Sequence, residues 1–337
     1  MKKAFKIIGY IVVGIVLVIA AGVLYLRYTF PKVDAAPVLS VNKTAALEKR
    51  GEYLANHVAV CIDCHSSRDW SRFSGPLVPG TEGKGGDKFD QNMGFPGTFY
   101  AKNITSDKET GVGAWTDGEL YRAITMGVSK NGEPLFPLMP YKAFNQMAEQ
   151  DVHAIIAYIR TLAPVKNVVP KSEPDFPFSL ILRTLPENRP LATAKDPELK
   201  DPVLKGKYLF TMASCAECHT PQDKDGPLEG MYLAGGVEFK FPNNAVVRSA
   251  NLTPDKETGI GTWTEDTFVQ RFKSRGNPEA LAKVSPDGYN SVMPWSMYGG
   301  MEEEDLRAIY KYLRTVEPTK NKVIKFSPAP KATASKS

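Results

Sequence analysis

Hydrophobic positions divide the chain into an apolar N-terminal stretch and a longer part with helical periodicity. Residues 7–26 are 20 consecutive positions without a formal charge. At about 1.5 Å per residue they can cross about 30 Å of bilayer core. Further along, apolar residues recur at i, i+3, i+4 and i+7 in residues 152–162 and again in residues 306–316. This pattern predicts one membrane-spanning helix followed by a mainly α-helical protein.

A shorter helix is predicted before each of these amphipathic helices. One face of the earlier helix carries small and apolar residues at helical spacing: Leu47, Gly51, Leu54 and Val58. Residues 204–210, which include Gly206, are the corresponding stretch later in the chain. We expect each glycine to let its helix cross the following amphipathic helix closely, with Tyr158 or Tyr312 packed at the crossing.

The chain contains an internal repeat, because unrelated features recur at one offset. Three pairs of residues lie 154 positions apart: Cys61 and Cys215, Met139 and Met293, Asp151 and Asp305. Segments 103–116 and 251–264 share the pattern Asn-x-Thr-x-Asp-Lys-Glu-Thr-Gly-x-Gly-x-Trp-Thr at an offset of 148. The shift in offset means that a loop is longer before this segment in the first copy and after it in the second.

All four cysteines lie in two Cys-x-x-Cys-His pentads. Two thiols at this spacing can form thioethers with the two vinyl groups of one haem, and the following histidine can ligate the iron. The pentads therefore predict two covalently bound haem c groups, with these thioether and proximal-ligand residues: Cys61, Cys64 and His65; Cys215, Cys218 and His219.

A single pentad could also be half of a zinc site or a thioredoxin-like redox pair. The 151 positions between Cys64 and Cys215 disfavour a four-cysteine zinc ribbon, whose two pairs usually lie about 15 to 20 residues apart. A thioredoxin motif is also disfavoured, since neither pentad lies in a βαβ pattern. The repetition of everything around the pentads favours haem.

A six-coordinate haem needs a second axial ligand, and a His/Met pair raises the reduction potential. Met139 and Met293 are the candidates, because each lies 74 positions after its proximal histidine and precedes a proline and an aromatic residue. Proline stiffens a loop that must hold one thioether against iron. Met147 and Met301, which also share the 154 offset, are the second choice.

Other residues could also reach a haem. His57 and His153 could act as ligands in the first copy, but neither has a counterpart in the second, which disfavours a bis-His haem. Trp115 and Trp263 could reach the haem edge or its propionates through the indole N–H, or could belong to the core.

The net charge of +5 comes from the two ends of the chain. Residues 1–36 carry a net charge of +4 and residues 319–337 carry +5, so the remainder is mildly acidic at −4. The basic C-terminal stretch, rich in Lys, Ala, Pro and Ser, is predicted to be disordered. This distribution gives no support to nucleic-acid binding.

Lys2, Lys3 and Lys6 precede the apolar stretch. By the positive-inside rule the N-terminus lies in the cytoplasm and the rest outside, which for a bacterium is the periplasm, where haem attachment is completed. A cleaved signal peptide is the alternative, but its apolar region is shorter and ends at a small-x-small site. The sequence therefore favours a single-pass anchor in the bacterial cytoplasmic membrane.

Five segments follow from these patterns. They are an N-terminal anchor (residues 1–36), a first repeat (37–164), a proline-rich linker (165–197), a second repeat (198–318) and a basic tail (319–337). Within the linker, residues 176–185 are apolar enough to dock against a domain or the membrane surface. Between each pentad and its Met-Pro dipeptide the chain is rich in Gly, Pro, Asn and Asp, which predicts loops and short helices.

These motifs resemble the class I cytochrome c domains in the cytochrome subunits of bacterial membrane-bound alcohol, gluconate and related dehydrogenases. The pentads, the Met-Pro dipeptides and the Asn-to-Thr segments carry the resemblance, which covers residues 45–164 and 198–317. It implies two tandem, mainly helical cytochrome c domains after the transmembrane helix. Those subunits commonly carry three such domains and a C-terminal anchor, whereas this chain has two and an N-terminal one.

The resemblance implies an electron carrier of a respiratory chain rather than a self-contained enzyme. Its donor would be a dehydrogenase or a quinol-oxidising complex, and its acceptor another cytochrome or a terminal oxidase. A dihaem peroxidase with one labile haem site is the alternative, but it needs two unlike haems, which the matched Met-Pro dipeptides disfavour. A structural subunit with vestigial haems is the third interpretation.

Overall fold

The computed structural model describes residues 2–188, 200–223, 226–285 and 287–330. Its first helix, α1 (Lys2–Thr29), contains the predicted apolar stretch and has no buried residue. By length and composition α1 could be a membrane anchor or a signal sequence. After α1, the carbonyl of Phe30 accepts a hydrogen bond from Arg183, which ties the end of the helix to the rest of the protein.

The first repeat begins with helix α2 (Ala45–Tyr53) and a π-helical turn (Leu54–Val58). It continues with α3 (Cys61–Cys64), α4 (Asp117–Met126), α5 (Tyr141–Phe144) and α6 (Glu149–Ile159). Polar caps explain where α2 and α4 begin. Thr44 accepts the N–H of Leu47 at the start of α2, and Thr116 forms a capping box with Glu119 at the start of α4.

A short helix, α7 (Phe178–Ile181), and a 3-10 turn (Leu182–Thr184) lie between the repeats. The second repeat then has α8 (Pro202–Met212), α9 (Cys215–His219), α10 (Glu265–Lys273), α11 (Trp295–Tyr298) and α12 (Glu303–Leu313). Proline at the first position of α8 and Asp201 as its cap mark the start of that helix. The order and type of these helices match those of the first repeat.

In both repeats a glycine lies where the first and last helices cross, as predicted. A Cβ at Gly51 would be 1.8 Å from the carbonyl oxygen of Ala154, and one at Gly206 would be 1.9 Å from that of Ala308. Tyr158 lies at the first crossing, with its Cβ 2.9 Å from the same added atom. Because non-bonded atoms cannot approach so closely, any side chain here would force the helices apart.

The helix before the first cysteine pair differs from the prediction. One continuous α-helix was expected through Val58, but residues 54–58 form a π-helical turn. From Tyr53 to Cys61 there are eight positions, and from Tyr208 to Cys215 only seven. A π-turn accommodates one additional residue within a helix. It thus keeps the tyrosine and the pentad in equivalent places in both repeats.

Small antiparallel sheets, which the hydrophobic pattern did not predict, accompany both repeats. The first sheet has β1 (Lys88–Phe89), β2 (Gly97–Tyr100) and β3 (Glu173–Pro174), with Lys88 opposite Tyr100 and Gly97 opposite Pro174. The second pairs β4 (Gln222–Asp223) with β5 (Gly226–Pro227), with Gln222 opposite Pro227. The third has β6 (Glu238–Lys240), β7 (Val246–Arg248) and β8 (Phe326–Ser327), with Glu238 opposite Arg248 and Val246 opposite Ser327. Short 3-10 turns occupy Gln91–Met93 and Pro278–Ala280.

Strands β3 and β8 lie in segments that the sequence assigned to the linker and the disordered tail. The first part of the linker is attached to the first repeat through β3 and through the Val165 carbonyl, which accepts the side-chain amide of Asn103. Residues 319–330 pack on the second repeat through β8 and the Thr319 carbonyl. Backbone pairing therefore orders both polar segments. Linker residues 189–199 and tail residues 331–337 lie outside the described part of the chain.

The two repeats pack against each other through a buried tyrosine–aspartate contact. Asp151 in α6 accepts two hydrogen bonds of 2.9 Å from Arg50 of its own repeat. Its Oδ2 atom also accepts the Tyr208 hydroxyl of the other repeat at 2.7 Å. The Tyr208 oxygen in turn accepts the N–H of Ala148 at 3.1 Å. The buried Tyr208 hydroxyl therefore both donates and accepts a hydrogen bond across the interface.

The same contact occurs in the opposite direction. Asp305 in α12 pairs with Lys205 of its own repeat at 2.7 Å and accepts the Tyr53 hydroxyl of the first repeat at 2.5 Å. Tyr53 accepts the N–H of Glu302 at 3.2 Å. Burial and the neighbouring carboxylate raise the pKa of each interface tyrosine above its usual range, so both phenols stay neutral and can donate.

Candidate haem-binding sites

Each pentad forms a helical turn that follows a residue with left-handed backbone geometry. Val60 (φ 45°) precedes α3, and Ser214 (φ 53°) precedes α9. Side chains three positions apart on a helix lie on the same face. The two thiols of each pair therefore face one side, as two thioether bonds to a single flat ring require.

The cysteine thiols are held in the neutral form. Burial raises the pKa of Cys61, Cys64 and Cys215 to about 12. A zinc ligand or a thioredoxin-type nucleophile needs the thiolate, and such cysteines have a lowered pKa. In the described part of the chain, no three His, Cys, Asp or Glu residues come together as a metal site. In the structure each cysteine pair therefore consists of neutral thiols beside its histidine.

Each proximal histidine is oriented by one backbone carbonyl. His65 Nδ1 lies 2.6 Å from the carbonyl oxygen of Lys102, and His219 Nδ1 lies 2.7 Å from that of Ala250. A carbonyl can only accept, so Nδ1 carries the proton and Nε2 keeps its lone pair for a metal. Burial also lowers the pKa of both imidazoles, which favours the neutral ring that ligates iron. The same arrangement in both repeats fits a proximal haem ligand.

The Asn-to-Thr segments make these carbonyls available. Asn103 Oδ1 accepts the N–H and hydroxyl of Thr105, and its amide donates to the Val165 carbonyl. Asn251 makes the same contacts with Thr253 and the Thr319 carbonyl. The repeated motif is thus a locked loop whose preceding residue, Lys102 or Ala250, holds the histidine. Sequence reasoning found the motif but missed these two carbonyls, since a backbone group has no side-chain signal.

The Met-Pro dipeptides form matching turns. Met139 and Met293 are both half-buried, and each packs against the main core. The Met139 carbonyl accepts the N–H of Tyr141 at 2.7 Å, and the Met293 carbonyl accepts that of Trp295 at 2.8 Å. Each proline then caps a short helix, α5 or α11. The two methionines are therefore presented by the same local backbone, as expected for one ligand type used twice.

The second-choice ligands have other contacts in the structure. Met147 and Met301 lie in the core, 0% and 2% exposed. His57 Nδ1 lies 2.9 Å from the Met297 carbonyl of the second repeat, so its ring takes part in the interface. His153 lies 3.7 Å from Glu149 and packs near Tyr121. Trp115 and Trp263 are half-buried and pack against the core.

The loops that differ in length between the repeats meet at the interface. Gly-Pro-Leu follows His65 after ten positions but His219 after only seven. The longer first-repeat loop pairs with the longer second-repeat loop: Phe73 N–H donates to the Ala282 carbonyl and Val284 N–H to the Ser71 carbonyl, both at 2.8 Å. The Phe73 and Tyr289 rings also contact each other in a tilted arrangement, with their centroids 6.0 Å apart. The sequence predicted both longer loops but not their contact.

Comparison with known proteins identifies a family and several relatives. Residues 203–317 match the cytochrome c family model. The cytochrome c subunit of gluconate 2-dehydrogenase from Pantoea cypripedii is 31% identical over 80% of this chain and 60% of its own length. The cytochrome c subunit of alcohol dehydrogenase (quinone) from Gluconacetobacter polyoxogenes is 30% identical over 81% of this chain and 57% of its own length.

A dihaem c-type cytochrome from Cereibacter sphaeroides is 28% identical over 90% of this chain and 96% of its own length. The chain thus spans a little over half the length of the two dehydrogenase subunits and nearly all of the dihaem cytochrome. The family match covers the second pentad and the second Met-Pro turn. The chain therefore contains a cytochrome c domain at residues 203–317 and is similar, along most of its length, to cytochrome c subunits of dehydrogenases and to a dihaem c-type cytochrome.

Proposed function

We propose that the protein is a membrane-anchored, periplasmic dihaem cytochrome c that passes electrons from a respiratory donor to a downstream acceptor. The observation that carries this proposal is the duplication of one site. Each repeat has the same Cys, Cys, His and Met residues in the same local geometry, with the histidine Nδ1 held by a backbone carbonyl. Two alike centres suit conduction, whereas a dihaem peroxidase needs one centre with an open position.

The ligand assignment follows the two repeats. The first haem would be held by Cys61 and Cys64, with His65 Nε2 and Met139 Sδ as axial ligands. The second would be held by Cys215 and Cys218, with His219 Nε2 and Met293 Sδ. Bound haem iron supplies one-electron oxidation and reduction at each site. The two-fold repetition of the donor set supports two haems, as does the named dihaem relative.

The chain's own residues keep the two sites rigid. Each Nδ1–carbonyl hydrogen bond maintains one tautomer and one ring orientation of the proximal histidine. The reciprocal Tyr208–Asp151 and Tyr53–Asp305 contacts fix the repeats against each other. A constant distance between the centres follows, which one-electron transfer between them needs.

Relatives support a dehydrogenase as the electron donor. The Pantoea and Gluconacetobacter proteins are cytochrome c subunits of gluconate and alcohol dehydrogenases. A quinol-oxidising complex is the other donor type, and the acceptor would be a cytochrome or a terminal oxidase. Purification of the detergent-solubilised full chain, followed by identification of co-purifying redox proteins, tests this assignment. Recovery without any dehydrogenase would contradict it.

Membrane attachment through α1 would leave both repeats on one side of the bilayer. The three lysines before the apolar stretch support a cytoplasmic N-terminus and periplasmic haem domains. The carbonyl of Phe30, directly after α1, is bonded to Arg183, so the anchor and the 178–184 segment are adjacent. Washing membranes at high salt and high pH tests retention of the anchor, and release of the protein would contradict it.

The central experiment replaces each proposed distal ligand in the full chain. Met139→Ala and Met293→Ala should each remove about half of the sulfur-to-iron charge-transfer band and lower the potential of one of two one-electron couples. Met231→Ala, at a half-buried methionine outside the Met-Pro turns, is the control and should change neither. An unchanged band in either ligand variant would contradict the assignment, and rapid peroxide turnover by the wild-type protein would favour the peroxidase.

A further inference from the structure

We propose that Ser74 of the first repeat is a positioning residue for Met293, the distal ligand of the second haem site. The inference rests on the proposed ligand role of Met293 and adds a contact between repeats to it. The Ser74 hydroxyl donates to the Met293 carbonyl at 2.5 Å and accepts the N–H of Trp295 at 3.0 Å. One side chain thus holds both ends of the Met-Pro-Trp turn.

Water cannot replace this hydroxyl. Ser74 is only 1% exposed. Without the hydroxyl, the Met293 carbonyl and the Trp295 N–H would keep only the 2.8 Å hydrogen bond that joins them to each other. The turn would then lose its hydrogen bonds to the first repeat, and the methionine would be held less firmly.

Asn290 locks the serine in place. Its side-chain oxygen accepts the N–H of Ser74 and the N–H of Ser291, both at 2.8 Å. Its amide nitrogen donates to the Trp70 carbonyl at 3.2 Å. Asn290 is buried and lies in the longer loop of the second repeat, directly before the Met293 turn. The serine and the ligand turn are consequently parts of one hydrogen-bonded unit that spans both repeats.

The backbone at Ser74 shows that this placement is imposed by its surroundings. Ser74 has φ +67°, a left-handed conformation that non-glycine residues seldom adopt. The Ser74 and Gly75 carbonyls accept the guanidinium of Arg68 at 2.7 and 2.9 Å. That guanidinium also pairs with Asp63 inside the first pentad at 2.9 Å. A continuous set of polar contacts therefore connects the first cysteine pair with the second Met-Pro turn.

The first haem site has no such dependence. The Met139 carbonyl accepts the Tyr141 N–H, and no side-chain hydroxyl among residues 2–188, 200–223, 226–285 and 287–330 donates to it. Ser74 lies in the longer loop of the first repeat, and the matching stretch of the second repeat is three residues shorter. The two sites have the same ligand types, but among the described residues only the second Met-Pro turn accepts a side-chain hydroxyl bond from the other repeat.

Ser74→Gly and Ser74→Ala in the full-length holoprotein test the proposal. Glycine removes the hydroxyl while relaxing the left-handed backbone, so a loss of function in this variant cannot come from backbone strain. Losing a hydrogen bond to the ligand turn should raise the carbon monoxide affinity of the reduced second haem about fivefold. It should also weaken the charge-transfer band and lower the potential of that couple, with the first haem unchanged.

Controls separate the outcomes. Ser71→Ala lies in the same loop, but its hydroxyl bonds only to Asp69 on the surface, so it should behave like wild type. The difference spectra of Met139→Ala and Met293→Ala assign each signal to one haem. If Met293→Ala itself leaves the spectrum unchanged, the proposed ligand fails. If Met293→Ala changes the spectrum and Ser74→Gly does not, the proposed role of Ser74 is contradicted while Met293 remains the proposed ligand.

Discussion

The two repeats agree closely at the pentads and differ mainly at the surfaces where they touch. Both use a left-handed residue before the cysteines, a carbonyl on the histidine and a proline after the methionine. They differ in the π-turn before the first pentad and in the lengths of the loops that meet at residues 71–73 and 282–284. The pentads thus have the same geometry in both repeats, while the length changes lie outside the pentads and build an asymmetric interface.

The interface itself combines a symmetric and an asymmetric part. The reciprocal tyrosine–aspartate contacts are nearly identical, except that Asp151 pairs with an arginine and Asp305 with a lysine. The contact of Ser74 with the Met293 turn has no counterpart at the Met139 turn in the part of the chain that the structure describes. We therefore expect matched substitutions in the two repeats to have similar effects at the pentads and unequal effects at the interface.

The largest expected effect is at the pentads. Replacing both cysteines of one pentad with serine, at positions 61 and 64 or 215 and 218, should remove one covalently bound haem. A porphyrin that fills the core of one repeat would then be absent, so that repeat should lose its tertiary structure. Haem content per chain, measured as the pyridine haemochrome, should fall by half in either variant. Full haem content after either replacement would contradict two separate attachment sites.

Alanine at the helix crossings should destabilise both repeats. Gly51→Ala and Gly206→Ala would put a Cβ less than 2 Å from a backbone oxygen of the crossing helix. The cost of forcing such helices apart should be about 3 kcal/mol at each site. Denaturant unfolding of the detergent-solubilised holoprotein measures it. Gly14→Ala in α1, where nothing lies within 4 Å, is the control and should cost nothing.

Replacing the two interface aspartates with asparagine should lower the free energy of unfolding by unequal amounts. Asp151→Asn should cost about 2 kcal/mol, because it breaks a two-bond arginine pair whose carboxylate side chain is 1% exposed. Asp305→Asn should cost less, since Lys205 makes a single contact with this carboxylate. The same unfolding experiment gives both values. Equal losses would show that the arginine–lysine difference has no energetic consequence.

The smallest expected effect is a loss of stability in alkali. The pKa of Tyr53 and Tyr208 is raised in the folded protein, so the unfolded chain releases these protons first. Their contribution is complete below about pH 10 and falls above it by about 1.4 kcal/mol per pH unit for each tyrosine. Tyr53→Phe and Tyr208→Phe should flatten this dependence when unfolding is followed between pH 9 and 11. An unaltered slope in both variants would contradict the role of these phenols.

Local chemistry explains what could be predicted from the sequence. The amphipathic spacing of residues 152–162 and 306–316 predicted α6 and α12, and the glycines at positions 51 and 206 predicted their close crossings. The regular spacing of the pentads and Met-Pro dipeptides predicted the candidate ligands. These features depend on neighbours along one or two helices, where side-chain periodicity determines which face is buried.

Other features could not be predicted because they need partners far along the chain. The strands β3 and β8 are two residues long and carry no alternation, so only pairing with β2 and β7 reveals them. In the sequence, Tyr53 and Tyr208 have the pattern of ordinary helix residues. Their hydrogen bonds to Asp305 and Asp151 of the opposite repeat form only in the folded chain. The π-turn was concealed by a plausible α-helical spacing.

The sequence alone determined the repetition and the helices that frame each site, and it predicted the covalent haem attachment, because each of these depends on spacing along the chain. Tertiary structure decided how the repeats face each other, which carbonyl orients each histidine and which serine supports the second methionine. These are contacts between backbone groups or between distant loops, and their energies depend on burial that only the packed chain creates. The repeats have the same geometry at their pentads and differ in that a serine of the first repeat supports the Met293 turn of the second.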